Sequence, residues 1–365
     1  MTEKPPALRF YEAASAASEQ SWSKDTAPEL LFRIGFPGLA QRLGYARAAD
    51  VEEGFLHLQK LKQTLLFESA MEISNELTLA GVQHFFVKGA ALLNRFYEPG
   101  DRSMSDIDIY VQPESRTYAV EILDRLKYSE LPEDEQAGPE EMRTALALIR
   151  QAESDMESHV IDLHWNLDPV ERLLPRGDRS VPKLVWDNIV VDRPVPAPNP
   201  ECHAALLAHH LVHTDLLHIR NLLDIAYEFA GMPIEAGGNY LDVCRDLRIE
   251  AFGAALARML ATEFGIVRRA AEQCDSSAVE EIEHELEPES WMQLAAVSHP
   301  HDDEVITVAR IRRRMRLIDR GGTKTLFQDL FFPPSAFLRW RWNDRGPGRA
   351  MLSHYGQLLK KAFRR

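Results

Sequence analysis

Apolar residues change their spacing along this chain, and each change marks an element. Between Val51 and Ala80 they recur at helical intervals through Phe55, Leu58, Leu61, Leu65 and Met71. This predicts one long helix, which Gly81 stops. Phe85-Phe86-Val87 is an unbroken apolar run suited to a buried strand. Lys88-Gly89-Ala90-Ala91 returns the pattern to helical spacing, with Leu92, Leu93 and Phe96 on it. Asp106-Ile107-Asp108-Ile109-Tyr110-Val111 alternates at its start and reads as a second strand. Gln112 to Ser115 opens a helix to about Lys127, with Glu114 or Ser115 placed to cap it. Residues 129–141 are acidic and hold Pro132, Gly138 and Pro139. A loop is expected there, then a polar helix to about Ser154. His159 to Asn166 is the third strand, and Leu184 to Val191 a further one.

Past Glu201 the pattern is almost entirely helical: 201–217, 219–230, 239–248, 250–264 and more to about Arg320. The cluster Pro194-Val195-Pro196-Ala197-Pro198-Asn199-Pro200 is the natural domain boundary. At the other end, residues 1–28 read as a flexible leader rich in Ala, Ser and Glu. Short apolar clusters around Pro37-Gly38 predict one or two small helices before residue 46. The fold class is α+β: an α/β-type core sheet with flanking helices over 29–198, a helical domain over 199–330, and a basic aromatic arm over 331–365.

The second strand carries the strongest chemistry. Side chains two apart on a strand share a face, so Asp106 and Asp108 point one way and Ile107 and Ile109 the other. Two ionised carboxylates side by side repel unless a cation stands between them. The plain alternative is a solvated strand face, but the apolar alternates imply a half-buried strand beside a turn. Asp162 and His164 share a face of the third strand with Val160. If that strand neighbours the second, Asp162 completes a three-carboxylate metal site of Asp106, Asp108 and Asp162. Gly89, in a strand-to-helix turn, lets backbone N–H groups approach an anion. Lys88 and Arg102 are the nearby cations, Ser103 and Ser105 the nearby hydroxyl donors. Each of these has an equally ordinary reading as a surface residue. Trp165 reads as core.

Taken together, KGAALLNRFY, RSMSDIDIYV and the later Val160-Ile161-Asp162-Leu163-His164-Trp165 resemble the uncharacterised nucleotidyltransferase family of bacteria, within the polymerase-beta-like nucleotidyltransferase superfamily. The resemblance covers roughly residues 30 to 230. It implies a nucleotidyltransferase core and Mg²⁺- or Mn²⁺-dependent transfer of an NMP from an NTP to a hydroxyl or phosphate acceptor. Asp106, Asp108 and Asp162 would be catalytic and metal-binding, with Asp162 also activating the acceptor. Lys88, Gly89, Ala90, Arg102, Ser103 and His164 would bind the nucleotide. The chain departs from the superfamily in having Gly89-Ala90 where a Gly-Gly or Gly-Ser pair is usual. Two other readings stay open: a catalytically inactive nucleotide-binding or scaffolding protein of the same fold, and a metal-dependent phosphohydrolase. The acceptor is a small molecule, a glycan or a protein.

Composition narrows the setting. Formal net charge is −14, yet residues 305–365 hold 15 Lys/Arg against 3 Asp/Glu, a net of +12 that leaves −26 on the rest. An acidic body argues against general nucleic-acid binding. The basic arm, with Phe337, Trp340 and Trp342, either packs on the body or meets an anionic surface; packing is favoured. No apolar run reaches eighteen residues, and the first twenty residues have no apolar secretory core. Cys202, Cys244 and Cys274 form no CxxC pair, which fits a reducing cytoplasm. In the histidine-rich stretch, His209 and His213 stand four apart, as zinc ligands can. No HExxH glutamate accompanies them, so a structural or substrate-facing role is preferred. Arg220 and Asp224, also four apart, are spaced to pair on a helix.

Overall fold

A computed structural model describes residues 36–42, 53–132, 143–151, 159–167, 180–214, 220–232 and 237–264, with 282, 349, 351–353 and 355 besides. The leader 1–28, the acidic stretch 133–142 and the aromatic run 331–342 lie outside the described residues. A short helix, α1 (Pro37–Arg42), precedes the long α2 (Glu53–Leu79). Leu66, Ala70, Ile73 and Leu77 of α2 are buried, and they recur at three- and four-residue intervals. This is not the stripe expected from the sequence, because Leu58 and Leu61 are exposed. The first half of α2 carries a second apolar row that runs past the core. On this half of the helix Lys60 and the Leu56 carbonyl run close beside Gly100, whose N–H donates to Gln63 Oε1.

The sheet has five strands: β1 (His84–Phe86), β2 (Asp106–Val111), β3 (Ser129–Glu130), β4 (Ala145–Arg150) and β5 (His159–His164), in the order β1-β2-β5-β4-β3. Only β2 and β5 run parallel; the other pairs are antiparallel. β2 lies between β1 and β5, and every residue from Ile107 to Val111 is buried. Burial on both faces marks an interior strand. α4 (Arg116–Arg125), entered through a 3₁₀ turn at Pro113–Ser115, packs beside α2, which itself packs on β1 and β2. Ser115 occupies the cap position of α4 without a side-chain capping bond.

Two expected elements differ. The polar helix expected to run to Ser154 is β4 over Ala145–Arg150. Ala and Leu favour helix locally, but Leu146 and Leu148 alternate with Ala147, and β5 and β3 pair with the two edges of the strand. Tertiary pairing overrides propensity here. The strand expected at 184–191 is a short helix, α5 (Lys183–Asp187), followed by the two-residue β6 (Ile189–Val190). β6 pairs with β7 (Ala197–Pro198) in a small hairpin. Just before β7, the Pro196 carbonyl accepts from Phe86 N–H, so the proline-rich stretch lies along β1.

Between β1 and β2 sits α3 (Lys88–Leu92), shorter than the expected pattern through Phe96: Leu93 is extended and Asn94 takes φ 60°. The helices α6 (Pro200–His213), α7 (Arg220–Gly231), α8 (Gly238–Asp246) and α9 (Glu250–Phe264) follow the predicted pattern closely. Asn199 caps α6 by accepting from Cys202 N–H, and Pro200 occupies its first turn. One contiguous apolar cluster includes residues of both the sheet and these helices. No described helix is long and apolar enough to cross a membrane.

Candidate active site

The register of the central parallel pair builds the site. β2 and β5 align Asp108 with Asp162 and Tyr110 with His164. Side chains at aligned positions of adjacent strands project from the same face, so Asp108, Asp162 and His164 converge. Each offers a ligand atom within 4.8 Å of the others. Asp108 is buried and Asp162 half-buried. The His164 ring stacks on Tyr110, with centroids 4.6 Å apart, and its Nε2 stands 3.5 Å from Asp108 Oδ1. Asp106 lies one step back along the same face and accepts a hydrogen bond from Ser105 Oγ at 3.0 Å.

The two aligned carboxyls are driven apart in acidity. Burial works against ionising Asp108, but the Lys88 ammonium, and then His164, outweigh it and hold the group down at about 2. Lys88 Nζ donates to Asp108 Oδ1 at 2.7 Å. Among the described residues no cation hydrogen-bonds Asp162: burial, and then the negative charge of Asp108, push it up to about 6 against the pull of His164 and Lys88. One carboxylate therefore stays ionised at all ordinary pH, while its neighbour titrates near neutrality.

Lys88 is positioned from behind. Its backbone sits at φ 53°, a left-handed conformation that side chains with a Cβ seldom adopt. Its N–H donates to His203 Nε2 at 3.1 Å. A ring nitrogen that accepts cannot carry the proton, so Nδ1 carries it and donates to Glu228 Oε1 at 2.7 Å. Arg95 also donates to Glu228 Oε1. His203 and Glu228 are fully buried. One turn earlier on α7, fully buried Asp224 accepts from Arg102 through Nε and Nη2 and from the Tyr97 hydroxyl. Two carboxylates of α7 thus anchor both ends of the segment from Lys88 to Arg102.

The family model described as uncharacterised nucleotidyltransferase matches residues 54–265, more than half of the chain. The protein belongs to that nucleotidyltransferase family. No curated protein and no solved structure matches it.

In this family member the residues singled out from sequence occupy different kinds of place. Asp108, Asp162 and His164 form the convergent cluster, with Asp106 beside it. Gly89 and Ala90 are buried in the first turn of α3. A Cβ added at Gly89 would meet Met104 Sδ at 2.5 Å, so a side chain there would have to displace Met104 in the approach to β2. Arg102 is buried with its guanidinium on Asp224, and Ser103 accepts from Arg102 Nη1 through its carbonyl at 3.3 Å. The expected helical pair of Arg220 with Asp224 does not form as a hydrogen-bonded pair, because Arg102 and Tyr97 take the Asp224 carboxylate. His209, His210 and His213 line a pocket that also touches Lys88, Tyr110 and Leu207. They lie outside the carboxylate cluster. Trp165 is buried, with the Arg116 guanidinium over its ring at 3.9 Å. His203, Glu228 and Tyr97 were not singled out from sequence. Acids at Asp224 and Glu228, four apart on the apolar α7, were the available signal.

Proposed function

We propose that the protein transfers an NMP from an NTP to a hydroxyl or phosphate acceptor, with Mg²⁺ or Mn²⁺ at Asp106, Asp108 and Asp162. The observation that carries this reading is the parallel register that sets Asp108 beside Asp162. Two carboxylates and an imidazole form a donor set suited to a hard or borderline divalent ion, and the raised pKa of Asp162 marks a place where added positive charge is stabilising. An ion bound there supplies charge to the transferring and leaving phosphates. The rest of the chemistry belongs to side chains. Asp162 takes the proton of the acceptor hydroxyl. Asp108 stays ionised, and Lys88 balances it until ligands arrive. Lys88, Gly89, Ala90, Ser103 and His164 face the nucleotide side. Arg102 acts through the loop it pins to Asp224. The acceptor is a small molecule, a glycan or a protein side chain.

The test incubates purified protein with Mg²⁺, mixed NTPs and cell extract, and follows labelled phosphate. Pyrophosphate release with mass gain on an acceptor is expected. Orthophosphate as the sole product would assign hydrolysis instead. Asp108→Asn, which keeps size and removes one charge, is expected to abolish turnover while the protein stays folded. Undiminished transfer by that variant would sink the assignment.

A further inference from the structure

We propose that Arg220 is the receptor for the polyphosphate of the nucleotide, an inference that rests on the nucleotidyl-transfer reading above. Arg220 opens α7, four residues before Asp224. That spacing ordinarily yields an ion pair. Here Asp224 is already bonded to Arg102 through two guanidinium nitrogens and to the Tyr97 hydroxyl. No hydrogen bond or ion pair joins the Arg220 side chain to any described residue, and its Nε is buried without a partner. Buried donors in folded proteins are nearly always bonded, so an exception has to be explained.

The surroundings point to an anion. Burial strips water from the guanidinium, and the positive charge of Arg102 beside it adds to the cost; both push Arg220 below the usual guanidinium range. Asp224, Asp106 and Asp108 pull the other way without cancelling them. The side chain is therefore held within electrostatic reach of the carboxylate cluster with its hydrogen-bonding capacity unspent. A planar guanidinium fork matches two oxygens of a phosphate. An apolar ligand would leave the charge uncompensated, so the fitting partner is an oxygen-rich anion that arrives and leaves. A bare anion would be repelled by Asp106, Asp108 and Asp162. A polyphosphate that travels with a divalent cation is not: the cation meets the carboxylates while phosphate oxygens meet Arg220. The same argument separates Arg220 from Arg102. Arg102 has a permanent carboxylate and holds the loop, whereas Arg220 awaits its partner.

The experiment is calorimetric titration of inorganic tripolyphosphate, which needs no choice of nucleobase, and in parallel of orthophosphate, with Mg²⁺ present, against wild type, Arg220→Gln and Arg220→Lys. Wild type is expected to bind, Arg220→Gln to bind at least about tenfold more weakly, and Arg220→Lys to fall between. The apo Arg220→Gln protein is expected to melt no lower than wild type, because it loses a half-buried cation with an unpartnered buried Nε and no bond. If Arg220→Gln does not fold, Arg220→Lys decides: a several-fold loss supports the assignment. Tripolyphosphate affinity equal to wild type in the folded variants overturns it. So does wild type that fails to bind tripolyphosphate. Loss of orthophosphate binding with tripolyphosphate binding intact also overturns it, moving Arg220 to an acceptor phosphate. Wild type that binds tripolyphosphate through Arg220 yet releases no pyrophosphate from any NTP leaves this inference standing and removes nucleotidyl transfer.

Discussion

At the scale of single residues, the site is defined by an asymmetry between two identical side chains. Asp108 and Asp162 face each other across one strand pair, yet Lys88 stands on Asp108 alone. The consequence for stability has a sign that can be worked out. Asp162 has a folded-state value raised to about 6 from 3.8, so its neutral form is favoured by folding. Its ionisation destabilises the folded protein as pH rises from about 4 through 6. Two pH units correspond to on the order of 3 kcal/mol. Asp162→Asn mimics the neutral form. It is expected to be more stable than wild type at pH 7, by roughly 1–3 kcal/mol, with the gap closing by pH 4. Urea unfolding at both pH values measures this, and an Asn variant less stable than wild type at pH 7 would contradict it. Asp108 has the opposite sign: held at about 2, it contributes stability above pH 4 that is lost as pH falls toward 2. The face shared by Asp106 and Asp108 could be read from the alternation of their strand. The partner that sets the acidity of Asp108 could not, because Lys88 reaches it from a left-handed turn that no local pattern signals.

At the scale of elements, α7 does for the candidate site what its own apolar stripe does for the core. Its buried Asp224 and Glu228 hold Arg102, Tyr97, Arg95 and His203, and through them the whole segment from Lys88 to the start of β2. Removing one charge of a buried, multiply bonded pair leaves the other uncompensated, which costs about 3–5 kcal/mol. Asp224→Asn is therefore expected to lower stability by that amount, and Asp224→Ala by at least as much. Chemical denaturation followed by tryptophan fluorescence measures it, and a loss under about 1 kcal/mol would show the pair to be dispensable. Elements that announce themselves by long periodic runs were legible: α2, β2, β5 and the helices from α6 to α9. Those decided by neighbours were not. β4 is a strand because β3 and β5 flank it, although Thr144 to Arg150 is rich in good helix formers. α5 is a helix because Val185 and Trp186 are buried together, the Trp186 ring meeting Phe85 edge-on at 4.7 Å. A local pattern reports what a segment prefers, and these segments are short enough for packing to choose otherwise.

At the scale of the whole molecule, the matched family region runs through the sheet and the helices from α6 to α9, and the site needs both. The sheet supplies Asp106, Asp108, Asp162 and His164; the helices supply His203, Asp224, Glu228 and Arg220. Three sequence motifs located the first group. Of the second group, Arg220 and Asp224 were read only as a pair on one helix, and His203 and Glu228 stayed hidden, because their links to the sheet side of the site run across 115 to 133 positions of chain. This joint construction predicts how metal, proton and folding are linked. A divalent ion binds ionised carboxylates, so it competes with the proton on Asp162. Below pH about 6 the proton occupies that group, and above it the carboxylate is charged and uncompensated. Ion binding to the folded state raises stability by mass action, since the unfolded chain does not align β2 with β5. Millimolar Mn²⁺ is therefore expected to raise the melting temperature strongly at pH 7 and weakly at pH 5, and chelator to reverse the rise. Binding at pH 6 should release a fraction of a proton, seen as a heat that scales with buffer ionisation enthalpy. In Asp162→Asn most of the Mn²⁺ effect should be lost. A melting-temperature rise that is equal at pH 5 and pH 7 in wild type would mean that the ion sits away from Asp162.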